Sequence, residues 1–437
     1  MKKPKPNEGA LQDGAVVQNL LPDEKVSFVV PVGKNVVSDE ELNSRYAKGD
    51  VRIVTESARY SLAGILSMLE ETVEVDSGSG GEREYRYKLD PEYQRRHRWS
   101  VERKSRLIES FLMNVPVPPV FLYERDLARF EVMDGRQRLT ALSEFYADKF
   151  ALSGLQYWQD LDGRKYSQLP SKVRDGIDRR YISSIILLKE TAATEEQAAG
   201  LKKIVFERLN SGGVRLSSQE TRNAVYNGPL NQLCMSLSEN ENFRRMWGIR
   251  VDEVDDSEAD ADSDGFDGAD GATKSGARMF QKMEDVELVL RFFAYRQIAS
   301  YKMGLNKISE FLDIFLMKGN KFQAPLLESY RQIFEDALAF LWEALESDAF
   351  CVLSESGKNS RPTKIVYDAV MFAATHHSIV PRRLEILKKK EELRGALIEM
   401  YKSDKSGNVV FSGRRTNFMD AQERNRLVLA AFSSVIA

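Results

Sequence analysis

A five-residue segment, Asp-Gly-Arg-Gln-Arg at positions 134–138, combines side chains that can bind and process phosphates. Arg138 offers a planar set of donors that matches phosphate oxygens. Asp134 supplies a carboxylate that could hold Mg²⁺ or orient a water molecule. Gly135 permits a tight turn or a positive φ. The segment therefore predicts a phosphate-binding turn.

The pattern around this segment predicts that it joins a strand to a helix. Residues 130–133 are a short run with β-branched and aromatic side chains, and Leu139, Leu142 and Phe145 then recur at helical spacing. The first N–H groups of such a helix point back over the end of the strand, where they would stabilise an anion.

A capping role explains the same turn without any ligand. Asp134 could be the N-cap of the helix and Gln137 its partner in a capping box, which would leave Arg138 in solvent. The residues alone leave both interpretations open.

The turn and its surroundings resemble a known family. The sequence Asp-Gly-Arg-Gln-Arg-Leu-Thr-Ala-Leu at 134–142 is preceded by Tyr-Gln-Arg at 93–95, Trp-Ser at 99–100 and Val-Pro-Val-Pro at 115–118. A second segment, Phe-Glu-Arg-Leu-Asn-Ser-Gly-Gly at 206–213, is followed by Glu220 and Arg222-Asn223. Together they resemble the N-terminal domain of GmrSD-type restriction proteins over about residues 61–226. Position 136 is Arg where that family usually has Gln.

The resemblance implies an α+β domain whose fold is similar to that of ParB and sulfiredoxin, followed here by an all-α helical domain. We expect a flexible leader at 1–50, a nucleotide-binding domain at 51–228 and a helical domain at 229–437. Apolar residues at three-to-four spacing predict helices nearly throughout the last part. Residues 252–270 contain ten acidic side chains and no basic one, which predicts a disordered insert at 252–275.

The resemblance also implies a component of a DNA restriction or anti-phage defence system that binds and hydrolyses a nucleoside triphosphate, GTP or another, with Mg²⁺. In this sequence Asp134 would hold the metal, and Asp134, Gln137 and Arg138 would act in catalysis. The residues implied to bind the nucleotide lie in three segments: Gln94, Arg95, Gly135, Arg136, Arg138, Arg208 and Asn210.

A basic patch beside the first motif predicts contacts with the phosphates of DNA: Arg96, Arg98, Arg103 and Lys104. The alternative is a solvated helix face. The resemblance implies that the DNA is modified phage DNA and that a partner nuclease cleaves it. The chain has three histidines and two cysteines, which leaves few ligands for a nuclease metal of its own. A homo-oligomer is a further expectation.

Two other functions stay open. One is a non-hydrolysing DNA-binding adaptor or clamp of ParB type that nucleotide switches, and the other is a nuclease that uses its own ParB-like domain. A formal net charge of −3 excludes a generally basic nucleic-acid coat, so any DNA contact must be local. Two distant cysteines and the lack of an 18-residue apolar stretch predict a cytoplasmic protein without a membrane span.

Overall fold

The computed structural model of the protein describes most of the chain. The described ranges are 18–28, 38–48, 53–75, 82–89, 99–189, 194–209, 217–251, 273–298, 308–357, 359–406, 409–411 and 418–436. These residues form two compact units: 38–225 in the first, and 18–28 with 226–436 in the second. Each unit has a hydrophobic core of its own. The protein is α+β, as predicted, because the first unit combines a sheet with helices and the second is helical.

The first unit contains seven strands and seven helices in its described part. The strands are β1 (Thr55–Ser61), β2 (Thr72–Val75), β3 (Glu82–Tyr85), β4 (Tyr87–Lys88), β5 (Val120–Asp126), β6 (Arg129–Asp134) and β7 (Tyr181–Leu187). The helices are α1 (Asp39–Lys48), α2 (Ile65–Glu70), α3 (Val101–Leu112), α4 (Arg136–Tyr146), α5 (Ser171–Asp178), α6 (Glu195–Leu209) and α7 (Ser218–Val225).

Five of these strands form one mixed sheet in the order β1-β7-β5-β6-β4, and β2 and β3 form a separate antiparallel pair. In the larger sheet β5 pairs in parallel with β7, and β6 pairs in parallel with β4. The β5–β6 and β1–β7 pairs are antiparallel. The end of β6 therefore lies beside the start of β5, and this edge of the sheet is where α4 begins.

Helices cover both faces of this sheet. Successive strand residues face opposite sides, so Leu122 and Val132 enter the core formed with α2, α3 and α4. Tyr123 and Met133 instead join a smaller cluster with Phe206 of α6. The sheet thus connects the helix of the first motif with the helix that leads to the second.

From residue 226 onward, all regular elements in the described ranges are helices, as predicted. They are α8 (Pro229–Leu237), α9 (Glu241–Trp247), α10 (Lys274–Gln281), α11 (Glu284–Tyr295), α12 (Ile308–Gly319), α13 (Ala324–Leu345), α14 (Lys364–Ala374), α15 (Arg383–Lys388), α16 (Lys390–Ser406) and α17 (Phe418–Ser434). No helix within the described ranges is long and apolar enough to cross a bilayer.

The composition predicts a mobile leader over residues 1–50, but residues 18–28 are packed into the helical unit. The Glu24 carboxylate accepts from Arg296 Nε at 2.6 Å, and both side chains are almost fully buried. Val26 is also buried, and its N–H donates to Gln297 Oε1 at 2.8 Å. The sequence could not indicate this attachment because the partners lie more than 270 positions away. Most of the predicted acidic insert, residues 252–272, falls outside the described residues.

The loop at residues 153–158, after α4, has no regular structure, yet a side chain accepts from each of its six amides. Ser105 Oγ accepts from the first amide at 3.0 Å, and the Asp162 carboxylate accepts from the next two at 3.3 and 3.2 Å. The Glu109 carboxylate accepts from the last three at 3.2, 2.7 and 2.9 Å. Glu109 is 3% exposed, so these N–H groups replace its water.

These contacts predict a pH-dependent contribution of Glu109 to stability. Burial disfavours its charged form, but the backbone donors outweigh burial, and the pKa of Glu109 lies below its ordinary value. A depressed pKa stabilises the fold above the pKa of an unfolded glutamate, about 4.3, and this contribution is lost as the pH falls through the folded pKa.

We expect Glu109→Gln to reduce the free energy of unfolding at pH 7 by about 1.5–3 kcal/mol and to weaken the acid dependence below about pH 4. Denaturant titrations of wild type and variant from pH 7 down to about pH 2 measure both effects. Glu56→Gln on β1 is the control, because that side chain is exposed. Identical pH profiles for wild type and Glu109→Gln would contradict the anchoring role.

Candidate functional site

The turn between β6 and α4 requires a glycine. Gly135 is the N-cap of α4 with φ 95° and ψ 8°, a left-handed conformation that side chains disfavour, and its carbonyl accepts from Leu139 at 2.9 Å. A Cβ at this position would lie 2.5 Å from Val120 Cγ1 and 2.8 Å from Arg138 Nη2. The missing side chain thus lets the first turn of α4 approach the start of β5.

Arg138 lies beneath this turn and forms an ion pair with the end of β6. Its Nη2 is 2.8 Å from Asp134 Oδ2 and also donates to the Pro119 carbonyl at 3.3 Å. The Arg138 side chain is 13% exposed, whereas that of Asp134 is 51% exposed. Arg138 Nε is buried and has no hydrogen-bond partner among the described residues. The guanidinium is therefore fixed in place and retains donor capacity.

The capping interpretation of Asp134 and Gln137 is wrong in the form that the sequence suggested. Gly135 is the N-cap, and no side chain caps the helix there. The Asp134 carboxylate contacts Arg138, and the described residues offer it no other partner. Gln137 Oε1 accepts from the Trp99 N–H at 3.3 Å, so this side chain connects the start of α3 to α4.

A β-bulge sets the direction of Asp134. Phe121 is opposite Asp134 and Leu122 is opposite Val132, which leaves Met133 as an extra residue in β6. Bulges of this kind re-aim the side chains that follow them. Since directly opposite residues share a face, the pairing places Asp134 on the face of Phe121, where the cluster with α6 lies.

Helix α6 runs along β6 toward the same edge of the sheet. Lys202 Nζ is 2.7 Å from Glu131 Oε2 and 4.0 Å from the centroid of the Tyr123 ring. One turn later, Phe206 joins the cluster that contains Met133. The last turn of α6, with the exposed Arg208, therefore points toward the end of β6 at which Asp134 lies.

Comparison with protein families identifies the domain that contains the turn at Gly135. The family described as GmrSD restriction endonuclease, N-terminal domain, matches residues 79–227. Residues 79–227 are a GmrSD-type N-terminal domain. No curated protein and no solved structure matches the chain. The matched region begins before β3 and ends after α7, so it includes the turn at Gly135 and both sequence motifs.

Not all of the predicted site residues lie in the part of this domain that the structure describes. Gln94, Arg95, Arg96, Arg98 and Asn210 lie outside the described residues. The segment that contains the first four begins after Leu89, next to β4, and ends before Trp99, whose N–H contacts the turn. Both described flanks therefore lie near the edge of the sheet at which α4 begins.

The two described residues of the basic patch differ in their surroundings. Arg103 is exposed, and its guanidinium lies 4.8 Å from the centroid of the Trp99 ring. Lys104 is 15% exposed and pairs with Glu144 at 2.8 Å. Arg103 is thus presented to solvent, whereas Lys104 connects α3 with α4.

The sequence interpretation missed two features of the domain. The first is the Pro119 carbonyl with the Val120 side chain, which together form the wall of the turn. The second is a buried polar network on α7, the helix that follows the second motif in the sequence. Arg222 Nη1 donates to Gln219 Oε1 at 3.1 Å, and Gln219 Nε2 donates to Asn223 Oδ1 at 2.8 Å. The resemblance included Arg222 and Asn223, but α7 is mostly polar, so no apolar pattern in the sequence indicated that these side chains are buried.

The N-terminal end of α7 also has defined contacts. The Ser217 N–H donates to Glu220 Oε2 at 2.6 Å, and the Glu220 N–H donates to Ser217 Oγ at 3.1 Å. This reciprocal pair is a capping box. Together with the buried network it fixes α7 directly after the second motif.

Metal ligands do not cluster in the part of the chain that the structure describes. No group of three or more His, Cys, Asp or Glu side chains there could hold a metal ion. Asp134 is a single, half-exposed carboxylate. The described side chains therefore offer one ligand at the turn, not a cage.

Proposed function

We propose that this protein is a component of a DNA restriction or anti-phage defence system that binds a nucleoside triphosphate at the Asp134–Arg138 turn and hydrolyses it. The matched family supports the restriction role. The observation that carries the nucleotide site is the glycine-dependent turn, which places a nearly buried arginine and a helix N-terminus beside one carboxylate. The proposal includes a ParB/sulfiredoxin-like fold for the domain.

Each residue of the turn has a role in this proposal. Arg138 and the first N–H groups of α4 neutralise the charge that develops on the phosphates. Gly135 and Arg136 bring the backbone close to the ligand. Gln137 keeps α3 against α4 through Trp99, which makes it a positioning residue for the pocket as well as a donor toward water or phosphate. Gln94, Arg95, Arg208 and Asn210 complete the pocket in the proposal.

The residues present fit Mg²⁺ that arrives with a nucleotide. Magnesium is commonly bound by one or two carboxylates together with substrate phosphates and waters, and Asp134 is one accessible carboxylate. When bound, the ion neutralises charge on the phosphates. Asp134 would hold it from the end of β6.

The proposed partners are DNA and a nuclease. The exposed Arg103 supports contact with DNA phosphates, while Arg96 and Arg98 are proposed from sequence alone. Cleavage of the DNA, with modified phage DNA as the proposed target, is assigned to the partner nuclease. A homo-oligomer is also part of the proposal.

One observation favours a second candidate function. The Asp134 carboxylate is already paired with Arg138, so both could serve to detect a phosphate without catalysing its hydrolysis. The protein would then be a nucleotide-switched DNA adaptor of ParB type.

Asp134→Asn separates the two candidates. Asn keeps the shape of the side chain but removes the charge that the metal needs, so we expect turnover to fall tenfold or more, about 1.4 kcal/mol in the barrier. Stability should change by less than about 1 kcal/mol because the ion pair is half exposed.

The measurement is phosphate release at saturating nucleotide and Mg²⁺, with and without DNA, alongside a melting curve. The nucleotide is first chosen by thermal shift with each of the four ribonucleoside triphosphates. Equal turnover of wild type and variant at equal stability would reject the hydrolytic role of Asp134 and favour the adaptor.

A further inference from the structure

Lys202 of α6 is held against two strands of the sheet. Its Nζ lies 2.7 Å from Glu131 Oε2 on β6 and 4.0 Å from the centroid of the Tyr123 ring on β5. Tyr123 is directly opposite Glu131 in the β5–β6 pair, so both groups lie on the face that α6 covers. The side chains of Lys202 and Glu131 are 13% and 19% exposed. The pair is therefore largely removed from water, unlike a surface salt bridge between two mobile side chains.

A charged pair in this position fixes the register of α6 more strictly than apolar contacts do. Apolar surfaces attract one another without direction, so they tolerate a small displacement of the helix along the strand. The same displacement would separate Lys202 Nζ from the Glu131 carboxylate and leave both charges partly buried without a partner, which is costly. The pair therefore favours one position of α6 on β6.

The spacing of the contacts along α6 matches their spacing along β6. Phe206 follows Lys202 after four residues, a rise of about 6 Å in a helix. Met133 follows Glu131 after two residues, about 6.6 Å in a strand. Phe206 and Met133 belong to the same buried cluster, so the helix and the strand run in the same direction with matching steps. The end of α6 therefore lies at the level of Asp134, the residue after Met133.

The second motif begins in this last turn of α6. Its first residue is Phe206, and α7, which follows the motif, contributes Ala224 to the same cluster around Met133. Both helices that flank the second motif are thus packed against β6 one residue before Asp134. The register of α6 consequently determines where the motif begins relative to the Asp134 carboxylate.

We propose that Lys202 is a positioning residue for the nucleotide site: its ion pair with Glu131 sets the register of α6 on β6, and this register places the second motif at the end of β6 where Asp134 lies. This inference rests on the proposed nucleotide site. It adds a residue outside both sequence motifs on which the affinity of that site depends.

The experiment measures the Kd of the best nucleoside triphosphate with Mg²⁺ by calorimetry, on the full chain and its variants. Lys202→Met keeps most of the aliphatic length but removes the charge, Glu131→Gln keeps the shape of the partner, and a third variant combines both changes. Lys203→Met is the matched control, because Lys203 is adjacent on α6 and pairs within the helix with Glu207 at 4.0 Å. Melting curves without nucleotide report the stability of each variant.

We expect Lys202→Met and Glu131→Gln each to weaken binding about tenfold, at a temperature at which the variants are folded. The double variant should lie within about twofold of the single variants, because either change already breaks the pair. Lys203→Met should bind like wild type. The direction of the effect at Glu131 separates positioning from charge alone. Loss of a negative charge would by itself strengthen the binding of an anionic ligand, whereas loss of the pair weakens it.

An unchanged Kd in a folded Lys202→Met protein would overturn the inference, and so would tighter binding by Glu131→Gln. A lower melting temperature with a wild-type Kd would assign the pair to stability alone and also overturn it. Effects that multiply in the double variant would show that Lys202 does not act through Glu131, with the same consequence. If Lys202→Met does not fold, Glu131→Gln decides the question.

Arg138→Ala, measured in the same titrations, separates this inference from the proposed nucleotide site. If wild type binds no nucleoside triphosphate, or if Arg138→Ala binds it like wild type, the site itself is wrong and the inference fails with it. If Arg138→Ala weakens binding and Lys202→Met does not, only the positioning role of Lys202 is rejected.

Discussion

Gly135→Ala should destabilise the first unit by about 2–5 kcal/mol, the largest loss of stability that we expect from any single methyl group in this domain. The added Cβ would face a left-handed backbone at φ 95° and Val120 Cγ1 at 2.5 Å. The first effect costs about 1–2 kcal/mol and the second about 1–3 kcal/mol. Chemical denaturation of wild type and variant measures the sum.

Gly163→Ala is the control for the backbone effect alone. Gly163 also has a positive φ, 81°, but a Cβ there would meet no atom within 4 Å. It should therefore cost about 1–2 kcal/mol. Val120→Ala in the Gly135→Ala background should recover part of the loss, since it removes the methyl group that clashes. Equal costs at Gly135 and Gly163 would show that the turn does not need close contact with β5.

Arg138→Ala should remove most of the thermal shift that the best nucleoside triphosphate gives. A charge-assisted hydrogen bond of this kind contributes about 1.5–3 kcal/mol, which corresponds to about 10- to 150-fold in affinity. Arg138→Lys should recover only part of the shift because an ammonium keeps the charge but lacks the planar donors. The measurement is a thermal shift titration with Mg²⁺, followed by calorimetry to obtain Kd.

Arg129→Ala is the matched control for this prediction. Arg129 lies at the opposite end of β6, forms an ion pair with Asp126 and is 22% exposed, close to the 13% of Arg138. Replacing Arg129 by alanine removes a similar ion pair and leaves the turn at Gly135 unchanged. A full nucleotide shift in a well-folded Arg138→Ala protein would reject the phosphate site, and a loss in both variants would indicate a general electrostatic effect.

Local sequence was sufficient for the elements that carry the site. The short run at 130–133 predicted β6, and the spacing of Leu139, Leu142 and Phe145 predicted α4. Ser100 is of a residue type that favours helix N-caps, and its Oγ accepts from the Arg103 N–H at 3.4 Å. Such signals are readable because the interacting residues lie within four positions of one another.

Some local patterns favour the wrong element because strand pairing in the sheet and side-chain packing in the core outweigh local sequence preferences. Apolar spacing in the sequence favours a helix from Tyr60, but Tyr60 belongs to β1, which pairs with β7 more than 100 residues later. Continuous periodicity favours one helix over 280–295, but Met283 has φ 54° and separates α10 from α11. A short stretch of sequence contains no information about the distant strand β7 or about the packing that holds Met283.

Within the candidate site, the sequence by itself determined which residue types meet at the turn, because Asp134 to Arg138 are consecutive. It did not determine their roles. Whether Asp134 caps the helix or pairs with Arg138 depends on the close approach of Val120 and on the Pro119 carbonyl, which another strand supplies. Tertiary structure decided this point, because the left-handed glycine and the bulge at Met133 exist only once β5 and β6 have paired.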